Sequence, residues 1–209
     1  MPHPLIAEFR RARVVPVIRT HSAAHATTAC DWLRAEGMHI LEITLTTPDA
    51  VGLIRRLAVE PDLVIGAGTV PDQAAAEACL AAGARFLVTP WVAPEIAAAA
   101  RAAGACAMLG AATPTEIRAA LAAGAEVVKI FPAASFGGPA HVKAVRAVFP
   151  EAVFCPTGGV DAANAPAYLA AGAAFVGIGG KLVDEAAIAA GNRAAIARAA
   201  RDALGLMQA

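Results

Sequence analysis

The sequence of 209 residues has few aromatic residues, no net charge and no long apolar runs. Aromatic residues make up only 5% of a chain that is 58% hydrophobic, so its core must be built from Ala, Val, Ile and Leu. The 17 basic and 17 acidic side chains cancel, and a neutral chain has no field to attract nucleic acid or anionic lipid. No apolar run approaches the roughly 20 residues that cross a bilayer. We therefore expect one domain over residues 1–209, without nucleic-acid or membrane partners.

The N-terminal segment also lacks the order of a secretory signal. Its basic residues follow a short apolar stretch, whereas a signal places them first. We therefore expect a cytoplasmic location.

Cysteine and histidine are too scattered to indicate a metal or redox site. The four cysteines have no C-x-x-C spacing, and we interpret them as small buried thiols: Cys30, Cys79, Cys106 and Cys155. His21 and His25 have the spacing of one helical face, but no third ligand stands beside them. We interpret both as solvated or capping residues. The "GAG" at 66–68 lacks the rest of a dinucleotide or P-loop fingerprint. The sequence therefore predicts neither a metal nor a cofactor.

One pattern recurs along the chain, in "AAGARFLVTP", "AAGACAMLG", "AAGAEVVKIFP" and "AAGAAFVGIGG". Each copy reads as the end of an Ala-rich helix, a glycine in the left-handed conformation that ends many helices, and an apolar strand. The pattern and its weaker copies predict eight strands, near 14–18, 39–45, 63–67, 85–89, 106–109, 126–131, 152–156 and 174–178. The helices are predicted near 22–36, 48–59, 71–82, 93–103, 114–123, 139–149, 161–171 and 184–204.

Strands that are apolar on both faces and alternate with helices are typical of a parallel sheet covered on both sides. Eight such units favour a closed (β/α)8 barrel, the TIM barrel, over an open doubly wound sheet. The open sheet needs fewer strands and usually has a glycine-rich phosphate loop after the first one. In this chain the first predicted strand ends within "PVIRTHSA", a segment that contains no glycine.

Lys129 and Glu42 are the two residues that packing alone would not place in apolar strands. Lysine is rare in this chain, at three positions, while arginine supplies most of the positive charge. Burial favours the neutral amine, which attacks ketones and aldehydes to give a Schiff base. Glu42 is the candidate proton shuttle for that chemistry. The alternative is a purely structural ion pair between the two.

Two glycine pairs, Gly158-Gly159 and Gly179-Gly180, follow the seventh and eighth predicted strands. In many barrels of this class, backbone N–H groups after these strands bind phosphate. A single glycine pair is more often a turn, but two on consecutive strands favour a phosphate site. The expected ligand then has a carbonyl at one end and a phosphate at the other.

The motifs occur in the order and spacing of a known family. "LEITLTTPDA", "IGAGTV", "VTP", "TPTE", "VVKIFPA", "CPTGGV" and "GIGGKLV" resemble the bacterial 2-keto-3-deoxy-6-phosphogluconate (KDPG) and 4-hydroxy-2-oxoglutarate (KHG) aldolases, from about Val14 to Val183. The resemblance implies a class I, metal-free aldolase, typically a homotrimer of (β/α)8 barrels. Its reaction would cleave 2-dehydro-3-deoxy-6-phosphogluconate to pyruvate and glyceraldehyde 3-phosphate in the Entner–Doudoroff pathway.

The resemblance also assigns roles by position. Lys129 would form the Schiff base and Glu42 would be the general acid and base. The substrate-binding residues would be Thr69 at the carboxylate, Pro90 and Phe131 around the pyruvyl group, Thr157 at a hydroxyl, and Gly158, Gly159, Gly179 and Gly180 at the phosphate.

The chain departs from the common family pattern at two places. Many members have an arginine at the position of Thr46, so we assign carboxylate binding to Arg19 instead. Lys181 stands where better-known members have serine, and the sequence leaves its role open. Two alternative functions also stay open. One is an aldolase of 2-dehydro-3-deoxy-6-phosphogalactonate, the galactonate-derived substrate, because that group of aldolases also has an arginine at the position of Arg19. The other is a barrel that binds a phosphorylated metabolite without converting it. Thr157 favours the gluconate-derived substrate, because its hydroxyl can bond a substrate hydroxyl.

Overall fold

The computed structural model describes residues 3–205 and contains eight parallel strands, which confirms the predicted barrel. The strands are β1 Val14–Ile18, β2 Ile40–Thr44, β3 Val64–Gly68, β4 Phe86–Val88, β5 Cys106–Ala111, β6 Val127–Ile130, β7 Phe154–Pro156 and β8 Val176–Ile178. The sheet order is β7-β6-β5-β4-β3-β2-β1-β8. A bridge between Thr157 and Gly177 and a hydrogen bond from the Ala174 N–H to the Phe154 carbonyl join its two edges, so the barrel closes between β7 and β8.

Ten helices are present among the described residues. They are α1 Leu5–Ala12, α2 Ala23–Ala35, α3 Ala50–Leu57, α4 Gln73–Ala81, α5 Pro94–Ala102, α6 Pro114–Ala122, α7 Gly138–Val148, α8 Ala165–Ala170, α9 Glu185–Ala189 and α10 Arg193–Gly205. The glycines predicted to end helices all have positive φ: Gly37, Gly83, Gly104, Gly124 and Gly172. None of the helices in residues 3–205 has both the length and the apolar character of a membrane span.

The helix α1 is absent from the sequence prediction, which treated residues 5–12 only as a segment without a signal peptide. Leu5, Ile6 and Phe9 are buried, and they pack against side chains from the beginnings of the strands, such as Ile40 and Phe86. The Phe9 ring stacks on Phe175 at 4.8 Å between centroids. Because a parallel barrel has an open N-terminal end, α1 supplies the apolar surface that closes it.

The predicted helix over 184–204 is wrong in its continuity, because the structure divides it into α9 and α10. Gly191 has φ of 67° and follows the end of α9. Asn192 then accepts a hydrogen bond from the Ala195 backbone N–H through its side chain, which caps α10. The predicted helix over 161–171 also begins late, because the side chain of Asp161 accepts from the N–H groups of Ala163 and Asn164 and holds a turn there.

Apolar side chains pack against both faces of the strands, in two layers. The larger one lies between the strands and the outer helices, and it includes Ile43, Leu109 and Ile130. The smaller one fills the barrel interior near α1, and includes Val127 and Ile40. Since side chains of a strand alternate between faces, residues two positions after these point inwards too. In β2 and β6, those residues are Glu42 and Lys129.

Candidate active site

Lys129 and Glu42 meet inside the barrel. The Lys129 Nζ lies 3.5 Å from Glu42 Oε1, and the two side chains are 4% and 6% exposed. The same Nζ lies 5.3 Å from the centre of the Phe131 ring, which offers its face to a cation. Removing two charges from water costs several kcal/mol per ion, so a pair at this depth is weak support for stability. The burial of the Lys129–Glu42 pair therefore indicates a catalytic role.

The carboxyl group of Glu42 lies over the end of β3. The register of β2 and β3 places Glu42 opposite Gly66 and Thr44 opposite Gly68. A Cβ atom on Gly68 would collide with the Glu42 carboxyl group. A Cβ atom on Gly66 would instead collide with the Phe86 ring, so the two glycines of "GAG" make room for the Glu42 carboxylate and for Phe86.

Arg19 and Thr69 form a second polar contact at the strand ends. Arg19 follows β1 and is exposed, and its Nη2 donates to Thr69 Oγ1 at 3.3 Å. Thr69 follows β3 with φ of 55°, in the left-handed region that non-glycine residues seldom adopt. Such backbone conformations persist where the surroundings hold them, and they cluster at functional sites.

Thr46 is directed to a hydroxyl cluster at the ends of β1 and β2. Its Oγ1 lies 2.9 Å from Thr44 Oγ1, and Thr44 donates to the Ile18 carbonyl at 3.1 Å. The Thr47 hydroxyl accepts from the Thr20 backbone N–H at 3.3 Å. The cluster joins the two strand ends through neutral groups, so Arg19 is the cation on this side of the site.

A cavity of about 590 Å³ opens at the C-terminal ends of the strands. The predicted residues Arg19, Lys129, Phe131 and Thr157 line it together with both glycine pairs, Gly158-Gly159 and Gly179-Gly180. Glu42 and Thr69 stand behind this lining through their contacts with Lys129 and Arg19. A ligand in this cavity would therefore be within reach of both Lys129 and the glycine pairs.

Pro90 lies beside the site without lining the described cavity. A Cβ atom on Gly110 of β5 would collide with the Pro90 backbone, and Gly110 pairs with Lys129. Pro90 is therefore separated from β6, the strand that carries Lys129, only by β5.

Thr157 is buried at the closing seam of the barrel. It is 6% exposed, and its Oγ1 lies 3.7 Å from Cys155 Sγ. A Cβ atom on Gly177 would collide with the Thr157 side chain, so the seam is packed tightly around it. Thr157 also lines the cavity, so a tightly packed residue forms this part of its wall.

The sequence did not reveal several residues near the cavity. Val17, Val160 and Asp184 also line the cavity, as does Lys181. Glu185 binds His21 of the β1–α2 loop and His25 of the first turn of α2: Oε2 lies 2.7 Å from His21 Nδ1 and Oε1 lies 3.0 Å from His25 Nδ1. The hydrogen bonds from His25 and His21 lower the pKa of Glu185 to about 2. The spacing of the two histidines was the available signal, but their partner lies 164 residues beyond His21.

The prediction of buried thiols is confirmed for all four cysteines. Burial raises the pKa of Cys30 and of Cys155 to about 12, and that of Cys79 to about 11. Burial also raises the pKa of Cys106. Thiols held in the protonated form are poor nucleophiles, so none of them competes with Lys129 for this role. Within residues 3–205, no group of three or more His, Cys, Asp or Glu side chains is arranged as a metal site.

Comparisons with known proteins agree with the geometry of the site. The sequence profile of the family described as "KDPG and KHG aldolase" matches residues 5–199. The chain is 40% identical to the 2-dehydro-3-deoxy-phosphogluconate aldolase of Pseudomonas aeruginosa, over 93% of this chain and 89% of that one. It is 35% identical to the KHG/KDPG aldolase of Escherichia coli, over 91% and 90% of the two chains.

A solved structure gives the same result. The KDPG aldolase from Legionella pneumophila, with pyruvate captured as a covalent carbinolamine intermediate, superimposes with a TM-score of 0.85 at 36% identity, over 93% of this chain and 95% of that one. This chain belongs to the KDPG and KHG aldolase family.

Proposed function

We propose that this protein is a class I aldolase that cleaves 2-dehydro-3-deoxy-6-phosphogluconate to pyruvate and glyceraldehyde 3-phosphate. The observation that carries the proposal is the buried contact of 3.5 Å between the Lys129 amine and the Glu42 carboxylate, beside a cavity of about 590 Å³. An amine held in such a place is a nucleophile with a proton shuttle at hand. Membership of the family supports the same reaction.

The proposed reaction needs only these two groups and water. The Lys129 amine adds to the C2 ketone, and Glu42 protonates the departing hydroxyl so that water leaves and an imine forms. Glu42 then removes the proton of the C4 hydroxyl, and the electrons of the C3–C4 bond move into the imine. The aldehyde leaves, Glu42 gives the proton from the C4 hydroxyl to C3 of the enamine, and water hydrolyses the imine to pyruvate and the free Lys129 amine. The imine nitrogen accepts the electron pair, so no metal or cofactor is needed.

The substrate ends would be held by different groups. Arg19, positioned by Thr69, would bind the carboxylate next to the reacting ketone, and Phe131 and Pro90 would flank the pyruvyl group. The phosphate would meet the backbone N–H groups of the glycine pairs. Within residues 3–205 these loop amides, at Gly158, Gly159 and Gly180, donate to no protein acceptor, which supports their use by a ligand.

The gluconate-derived substrate is favoured over the galactonate-derived one because of Thr157. Thr157 lines the cavity and carries a hydroxyl group, and the two substrates differ in one hydroxyl configuration. A site that bonds a particular hydroxyl rejects analogues that cannot make the bond. Pyruvate release from the two substrates, compared with the wild type and with Thr157→Val, tests this preference. We expect faster release from the gluconate-derived substrate, and a smaller difference in the variant.

The reaction class is tested by trapping the imine. Borohydride added with pyruvate should reduce it to a stable adduct on Lys129, which peptide mapping separates from Lys143 and Lys181. Lys143→Met serves as the control that keeps the adduct, and Glu42→Gln should slow its formation. No adduct, or an adduct on another lysine, would refute the Schiff base. Pyruvate release that a chelator abolishes would favour a metal-dependent aldolase, and ligand binding without pyruvate release would favour the non-catalytic barrel.

Assembly, location and domain extent are further parts of this proposal. The resemblance to the family supports a homotrimer, which a mass measurement in solution tests. The proposed cytoplasmic location is supported by the small phosphorylated substrate, and cell fractionation tests it. The single domain over 1–209 includes the ends 1–2 and 206–209, which lie outside the described residues.

A further inference from the structure

Lys181 lies in the wall of the cavity, beside the glycine pair that follows β8. It follows Gly180 directly and lines the same cavity as Gly158, Gly159 and Lys129. The residue is exposed, and among the described residues its ammonium forms no ion pair. It also borders a smaller cavity with Asp161 and Asp202, again without an ion pair to either. A charge at this rim is therefore available to a ligand.

The turn that carries Lys181 presents two backbone N–H groups beside its side chain. The Gly179 carbonyl accepts from the N–H groups of Leu182 and Val183, at 2.8 and 2.9 Å. Between these partners, the N–H groups of Gly180 and Lys181 donate to no acceptor within residues 3–205. Two unused amides and a cation from the same residues form a set of donors suited to a dianion.

The other charges of the cavity wall already have partners. Lys129 pairs with Glu42, and Arg19 donates to Thr69. The Asp184 carboxylate also lines the cavity, but one of its oxygens accepts from the N–H groups of Ala186 and Ala187, at 2.9 and 3.1 Å, and so caps α9. Lys181 is thus the wall cation without a side-chain partner among the described residues.

We propose that Lys181 is a specificity-determining residue, whose ammonium makes the enzyme prefer phosphorylated 2-keto-3-deoxy acids over their unphosphorylated counterparts. The inference rests on the proposed function and refines its phosphate end. Backbone N–H groups alone bind a phosphate through their dipoles, and they also donate hydrogen bonds to water or to a hydroxyl group. A cation adds a charge-assisted bond that only the phosphorylated substrate gains. The preference for the phosphorylated substrate should also weaken as salt is added, because ions screen an exposed charge.

The test compares the wild type and three variants on two substrates. Lys181→Met keeps the aliphatic stem and removes the charge, and Lys143→Met removes an exposed lysine of α7 as the matched control. The substrates are the phosphorylated 2-keto-3-deoxy acid and the same acid without its phosphate. We expect Lys181→Met to lower kcat/KM for the phosphorylated substrate by about tenfold, and to change that for the other by less than about twofold. Lys181→Arg should restore the preference, and Lys143→Met should behave as the wild type.

The salt titration adds a second reading. In the wild type, kcat/KM for the phosphorylated substrate should fall as sodium chloride is added, and in Lys181→Met the slope should be smaller. Equal losses on both substrates, or an unchanged preference in Lys181→Met, would overturn the inference while leaving the aldolase intact. Absence of pyruvate release from both substrates with the wild-type enzyme would instead refute the proposed function.

Discussion

The Nζ atom of Lys129 lies 3.5 Å from Oε1 of Glu42, with both side chains almost entirely enclosed by the barrel. Each charge makes the other tolerable, because an isolated ammonium or carboxylate at this depth would lack a counter-ion. A pair intended only for stability would be replaceable by apolar residues. Replacing either residue should therefore change both the free energy of unfolding and the rate of the reaction, and these two effects can be measured in separate experiments.

The coupling predicts a particular result in a double-mutant cycle. Lys129→Met leaves Glu42 buried without its partner, and Glu42→Gln leaves the ammonium in the same position. We expect each single change to lower the free energy of unfolding by about 3 to 5 kcal/mol, and the double variant to lose less than the sum. Urea unfolding of the four proteins measures the cycle. Additive losses would mean that the two groups do not interact.

The proposed binding of the substrate carboxylate by Arg19 predicts a defect confined to one end of the substrate. In the condensation direction, Arg19→Met should raise the KM for pyruvate by roughly 10-fold or more, because a charge-assisted bond is lost. The KM for the aldehyde phosphate should change little. Arg118→Met, which removes an exposed arginine of α6, is the control. An equal rise in both KM values would place Arg19 elsewhere in the substrate site.

The Glu185 contacts predict a loss of stability in acid. His25 and His21 hold the pKa of Glu185 at about 2, below its ordinary value of 4.5. A carboxyl group with a lowered pKa in the folded protein stabilises it above the ordinary value, and that stabilisation disappears as the pH falls from about 4.5 towards about 2. Glu185→Gln should therefore lower Tm at about pH 6 and have less effect at about pH 3.

The control for this pH dependence is Glu151→Gln, at an exposed glutamate that accepts no side-chain hydrogen bond from the described residues. Its Tm should follow that of the wild type across the same range. If Glu185→Gln lowered Tm equally at both pH values, the effect would come from packing and not from the ionised carboxylate.

The closing of the barrel by α1 predicts a large effect of Phe9. Its ring stacks on Phe175 and meets Phe86 edge-on, with centroids 5.3 Å apart in the second pair. Phe9→Ala should lower the free energy of unfolding by about 3 to 5 kcal/mol, through lost burial and the cavity that remains. Activity per folded molecule should persist, because the site lies at the opposite end. Val59→Ala, at a position 77% exposed, should change stability by about 0.5 kcal/mol or less.

The barrel and the pair at its centre were predictable for a physical reason. Strand periodicity gave the units, and Lys129 and Glu42 stood out as the charged exceptions within apolar strands. The packing of Phe9 was not predictable, since a short N-terminal helix has no αβ unit to identify it. The contact of Glu185 with His21 joins residues 164 apart in the chain, and no local pattern indicates such a pair. The break before α10 had a local signal, Gly191-Asn192, that the long Ala-rich run concealed.

The α1 plug also bears on the order in which molecules come and go. Because Leu5, Ile6 and Phe9 fill the N-terminal end, the cavity at Lys129 is reached from the C-terminal end, past the glycine pairs. In the proposed reaction the aldehyde phosphate lies between the pyruvyl imine and that entrance. Release would then be sequential, with the aldehyde leaving while pyruvate is still bonded to the lysine. In synthesis pyruvate would enter first, and excess aldehyde would compete with it at the entrance.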